Sequence, residues 1–153
     1  MSALRRSCRR GFTLVEILIV VIILGILAAI VIPQFTNASS DARNSSLAST
    51  LQTLRSQIEL YKLQHGDTLP NLVTDWTPFT VASTWGNPVQ TFGPYMQAAP
   101  VNPENGNSNV VNSTTGPGGT VASCGFVYDY GTNGSGSGQI YGTDTTGLKV
   151  LSY

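Results

Sequence analysis

Apolar residues crowd the start of the chain and then thin into stripes. From Phe12 to Ile32, 21 residues run on with only Thr13, Glu16 and the neutral Gly25 breaking the apolar pattern. Coiled into a helix at about 1.5 Å per residue, that run is roughly 31 Å long, the thickness of a bilayer's hydrocarbon core. Pro33 closes the run, and its missing N–H should kink or loosen a helix there. Next comes "QFTNASSDARNSS", small and polar, suited to exposure or to close packing on a neighbour. Leu47, Leu51, Leu54, Ile58 and Tyr61 then recur at steps of four and three, which draws one apolar stripe down a helix. Asp41, Arg43, Arg55 and Glu59 read as solvated, and a coiled coil is the competing reading of the stripe, with barely about three heptads available. His65 belongs to a last helical turn, and Gly66 can supply the left-handed stop. The pattern therefore predicts one long helix from about Phe12 to His65. Residues 12–32 would be its membrane-spanning half and residues 33–65 an amphipathic stem.

Past Gly66 the periodicity breaks up. "DTLPNLVTDWTPFT" reads as a packed loop with one helical turn, and "FGPYMQAAPVNPENG" as an ordered, proline-rich loop. "NSNVVNSTTGPGGTVAS" is low in complexity and suits a mobile tip. Short strands are expected at "CGFVYDY", "GQIYG" and "LKVLSY", with "GTNGSGSG" as a hairpin link. Ten of the 16 glycines lie between Gly116 and Gly147, which favours turns over helix. The expected fold is α+β: a long N-terminal helix packed on a small C-terminal antiparallel sheet, a three-stranded meander with long loops, over residues 66–153. So few apolar residues make a thin core, which the stem's stripe would complete.

Charge is balanced overall but uneven along the chain. Arg5, Arg6, Arg9 and Arg10 precede Gly11, and of the eight acids only Glu16 precedes Pro33. A basic flank on that side of an apolar span predicts a cytoplasmic N-terminus, with the head outside. Without residues 1–11, four basic side chains would face eight acids, a balance of −4 that disfavours nucleic-acid binding. Cys8 lies in the leader, so Cys124 has no partner in the remainder and reads as a half-buried apolar residue. His65, the single histidine, has no second ligand at metal-binding spacing and reads as structural.

Glu16 does not fit a plain membrane span. An acid there costs on the order of 2.5–3.5 kcal/mol at the helix centre, and such residues usually have partners. The nearest basic side chain upstream, Arg10, is six residues away. A cut between Gly11 and Phe12 would create an α-amino group, charged at neutral pH, four residues before Glu16 or beside Glu16 of a neighbouring chain. The carboxylate would then also lie in the first helical turn, where the helix dipole favours it.

"RRGFTLVE" ahead of an apolar run and Pro33 resembles the class III signal of type IV pilins and type II secretion pseudopilins. The resemblance implies cleavage after Gly11 by a prepilin peptidase, N-methylation of Phe12, and an assembly role for Phe12 and Glu16. It implies a basic leader at 1–11 and partners in identical and minor subunits, an inner-membrane assembly platform, and the bilayer before assembly. The implied location is the bacterial inner membrane, single-pass, with the head periplasmic or extracellular. "AAPVNPENG" and "GFVYDY" resemble, more loosely, the loop and late strands of major pseudopilins. Major pseudopilins often bind calcium in a late loop; the acids available for that here are Asp129 and Asp144, which otherwise read as solvated turn residues. No other cofactor is expected.

No residue set suggests catalysis. The histidine has no carboxylate at motif spacing, and "GTNGSGSG" lacks the Lys-Ser/Thr of a phosphate loop. Trp76, Trp85, Tyr95, Tyr128, Tyr130 and Tyr141 read as packing residues in a small head. The function implied is that of a filament subunit in type II secretion. A type IV or competence-pilus subunit, adhesive or taking up DNA, is the first alternative, and a plain single-pass anchored binding domain the second.

Overall fold

The computed structural model describes residues 11–151. The basic cluster, Cys8 and the last two residues of "LKVLSY" lie outside the described residues. Two compact units divide the chain at Ser40/Asp41. One helix, α1 (Leu14–Gln64), contains residues of both. Within the first unit its apolar side chains are all exposed. Pro33 sits inside α1 without ending it. A proline removes one backbone donor, here the bond to the carbonyl one turn back, and the bonds on either side carry the helix past it. The Thr36 hydroxyl donates to the Ile32 carbonyl at 3.2 Å in the same stretch.

In the second unit, Leu47, Leu51, Leu54 and Ile58 of α1 are buried with Leu69, Leu72, Phe79, Phe126, Tyr128 and Ile140 in one core. Gly66 takes φ +60°, the left-handed conformation that ends the helix. His65 is buried, its ring stacked 3.9 Å from that of Tyr61. Its Nδ1 donates to the Tyr61 carbonyl at 3.0 Å, and its Nε2 lies 2.9 Å from the Ser83 hydroxyl. A single turn, α2 (Thr77–Thr80), drops Phe79 into the core. Trp76 just before it donates from Nε1 to the Ser108 carbonyl at 2.6 Å.

The strands differ from the expected meander. β1 (Ser83–Trp85) and β2 (Gln90–Phe92) form an antiparallel hairpin in a stretch where no strand was expected. β3 (Val110–Asn112), β4 (Phe126–Tyr128) and β5 (Ile140–Gly142) form a second sheet in the order β3-β4-β5. β4 and β5 pair antiparallel, and β3 pairs parallel to β4, so the sheet is mixed. β3 comes from the stretch expected to be a mobile tip: Val110 is an apolar residue buried over the core, and the parallel ladder absorbs its backbone groups. Among the described residues, "LKVLSY" makes no third strand. Lys149 and Val150 form isolated bridges to Thr120 and Thr143, and Val150 exchanges backbone bonds with the Gly118 N–H and the Gly119 carbonyl.

The proline-rich loop is held from inside. Asn102 is fully buried, donating from Nδ2 to the carbonyls of Gly125 (2.7 Å) and Thr143 (2.9 Å) and accepting from Glu104 N–H. Asn105 Nδ2 reaches the Cys124 carbonyl, the Thr143 hydroxyl and the Asp144 carbonyl. Cys124 is fully rather than half buried, and burial pushes its thiol pKa up, so it stays a protonated apolar filler.

Candidate functional site

Gly11, Phe12 and Thr13 precede the helix in non-helical backbone, and Phe12 is 75% exposed. The helix begins at Leu14 because Thr13 caps it: the Thr13 hydroxyl accepts the Glu16 backbone N–H at 3.2 Å. Glu16 thus sits at the third helical position, in the first turn, near the helix's positive end. The arrangement leaves the Gly11–Phe12 peptide outside the helix, with Phe12 four residues ahead of an acid fixed on its first turn. On periodicity alone Thr13 is only a polar interruption of the apolar run. Its signal was Thr-x-x-Glu ahead of an apolar run, the pattern of a capping box.

Behind this terminus α1 is long and apolar enough to cross a membrane. Val15, Ile19, Ile22, Ile26 and Ile30, with their neighbours on every side, are exposed. A helix apolar around its whole circumference needs lipid or other helices about it.

In the second unit, Leu47, Leu51, Leu54 and Ile58 are buried and Tyr61 is half-buried against Phe79 and Tyr95. Arg55 is not simply solvated. Its Nη2 donates to the Ile140 carbonyl at 3.0 Å and its guanidinium lies 5.8 Å from the centre of the Tyr141 ring. Glu59 pairs with Lys62 at 3.3 Å. Of the tryptophans and tyrosines read as packing residues, Trp76 and Tyr128 are buried, Tyr95, Tyr130 and Tyr141 partly so, and Trp85 is 45% exposed. Burial pushes the Tyr128 hydroxyl pKa up, helped by its neighbours Tyr130 and Asp129, so the phenol stays neutral.

The β4–β5 register keeps Asp129 and Asp144 apart. Phe126 opposes Gly142, so Asp129 lies beyond one end of the ladder and Asp144 beyond the other. Five residues of strand, roughly 16 Å, separate the two positions. Each closes its own turn: Asp129 accepts from the Ser137 N–H and hydroxyl, and Asp144 from Thr146, Leu148 and Lys149. Those bonds, led by the Ser137 and Thr146 side chains, hold both carboxyl pKa values below the ordinary range. Among the described residues, no three His, Cys, Asp or Glu side chains gather into a metal-holding group.

Residues 6–32 match the family described as the prokaryotic N-terminal methylation motif. Among curated proteins, the chain is similar to type II secretion system core protein G of Klebsiella michiganensis, 39% identical over 62 residues, 40% of this chain and 44% of that protein. It is 37% identical to core protein G of Pseudomonas aeruginosa over 40% of this chain and 44% of that one. It is also 37% identical to the type IV major fimbrial protein FimA of Dichelobacter nodosus over 83 residues, 54% of this chain and 51% of that one. The chain spans about half or less of the length of these relatives. No solved structure matches.

Proposed function

We propose that this chain, a pilin-like protein by its N-terminal methylation motif and its likeness to core protein G and fimbrial subunits, is a structural subunit of a type II secretion pseudopilus. One observation carries the reading: a Gly-Phe junction just outside a capped helix whose first turn holds an acid and whose residues 14–32 are apolar and exposed. A prepilin peptidase cuts after Gly11 and Phe12 is N-methylated. The chain is then a substrate and building block, and no catalytic step is assigned to it. Until assembly the helix rests in the inner membrane with the head on the far side. In the filament it exchanges lipid for the helices of identical and minor subunits, taken up from an assembly platform. Glu16 of an incoming subunit meets the Phe12 amine of one already placed, which sets axial register.

Mass spectrometry of the N-terminus should find methylated Phe12. Glu16→Ala should leave the Gly11–Phe12 cut intact and abolish most filament assembly, scored by shearing and immunoblot. An uncut, unmethylated chain would end the processing reading, and normal filaments from Glu16→Ala would end the register argument.

A type IV pilus subunit is the second reading, favoured by the 83-residue likeness to FimA. Genes beside this one separate the two: a retraction ATPase belongs with a pilus, a secretin and secretion ATPase without it with secretion.

A further inference from the structure

Two Asn-Gly dipeptides occur in the head, Asn105-Gly106 and Asn133-Gly134, and the structure treats them in opposite ways. The pair is chemically reactive because glycine leaves its own backbone nitrogen unhindered beside the asparagine amide. At Asn105 both reacting groups are tied down. Nδ2 makes three hydrogen bonds, Oδ1 accepts from Asn107 N–H, and Gly106 N–H donates to the Asn102 carbonyl at 2.8 Å. At Asn133 the side chain is exposed, and among the described residues neither its amide nor the Gly134 N–H has a hydrogen-bond partner.

Asn133 and Gly134 are the central residues of a turn from Thr132 to Ser135, with φ +54° and +87°. Positive φ at both positions marks a type I′ turn, which asparagine and glycine enter most readily. Two bonds of marginal length close it, Ser135 N–H to the Thr132 carbonyl (3.3 Å) and Thr132 N–H to Ser135 Oγ (3.2 Å). Gly131 and Gly136 pack backbone to backbone beneath it, and Gly136 N–H donates to the Tyr130 carbonyl at 2.9 Å, so the base of the loop is fixed while Thr132 and Asn133 above it are exposed.

We propose that Asn133 is a site of self-modification, converting to aspartate and isoaspartate while Asn105 is protected. The Gly134 nitrogen attacks Asn133 Cγ, loses its proton, and expels Nδ2 as ammonia to leave a five-membered cyclic imide. Water then opens the ring at either carbonyl. One opening restores the backbone as aspartate; the other routes it through the side chain as isoaspartate. No oxidant or reductant takes part. Either product adds a negative charge to a loop whose base Asp129 already holds through Ser137. Isoaspartate also adds a backbone carbon to a turn built for two residues, so the turn must open.

The test is incubation of the full chain in detergent at mildly alkaline pH, with peptide mass spectrometry over time. Isoaspartate is scored separately by carboxyl methyltransferase labelling. Several hydrogen bonds must break before Asn105 can react, so Asn133 should convert about tenfold faster or more in the folded protein. In denaturant the two sites should convert at similar rates. Equal folded-state rates, faster conversion at Asn105, or an Asn133 that converts only in denaturant would each overturn the proposal.

Discussion

The two halves of α1 are the same secondary structure with opposite relations to their surroundings. From Leu14 to Ile32 apolar residues lie on every side, and every residue is exposed. Between Leu47 and Tyr61 the buried residues keep to one stripe, with Leu60 exposed off it, and Leu47, Leu51, Leu54 and Ile58 reach at most 1% exposure. The first half can be satisfied only by something outside the chain, and the second is satisfied by the head. One helix can therefore carry a surface for assembly and a piece of a folded core, with the division written in the breadth of its apolar face.

The sharpest way to break that contrast is to remove the same side chain from each half. Leu51→Ala should cost the head about 2–5 kcal/mol, since a buried leucine leaves both a lost transfer term and a cavity. Leu24→Ala, from an exposed position, should change head unfolding by less than about 0.5 kcal/mol. Denaturant melts of the full chain in detergent, followed by tryptophan fluorescence, read both. Equal losses would mean that the first half also supports the head.

Glycine offers a smaller contrast. A Cβ on Gly142 would stand 2.7 Å from Leu47 Cδ2, whereas one on Gly25 would meet nothing within 4 Å. Gly142→Ala should therefore destabilise the head by about 1–3 kcal/mol through overpacking, and Gly25→Ala should not. Pairing Gly142→Ala with Leu47→Ala should recover part of the loss, because the two share one contact.

The smallest effect expected is on pH dependence. Asp129 and Asp144 have folded pKa values below their unfolded ones, so their contribution is present above about pH 4 and is lost as pH falls through the folded values. Acid should lower the melting midpoint of the head, and Asp144→Asn should flatten that slope. An unchanged slope would show that the turn bonds of Asp144 add nothing to stability.

The long helix, its left-handed stop at Gly66 and the buried stripe were all legible, because they depend on period and on local backbone chemistry. The hairpin β1–β2 and strand β3 were not. Three-residue strands carry almost no periodic signal, and Val110 has a partner only because Phe126 lies beside it some sixteen residues on. Asn102 and Asn105 looked like turn residues in a proline-rich loop; their side chains bind carbonyls 19 to 41 residues away. At the N-terminus, Gly11, Phe12 and Glu16 stood out by chemistry alone, while Thr13 emerged as their cap only once the helix start was placed.

By itself, then, the sequence determined which residues want lipid or neighbours, where the helix runs, and where a cut would place an amine beside an acid. Those are properties of nearest neighbours and of one-dimensional pattern. Tertiary structure alone decided that the sheet is mixed, that Asp129 and Asp144 belong to separate turns, and that one Asn-Gly pair is locked while the other is free. Each of these depends on contacts between residues distant in sequence, which no local pattern encodes.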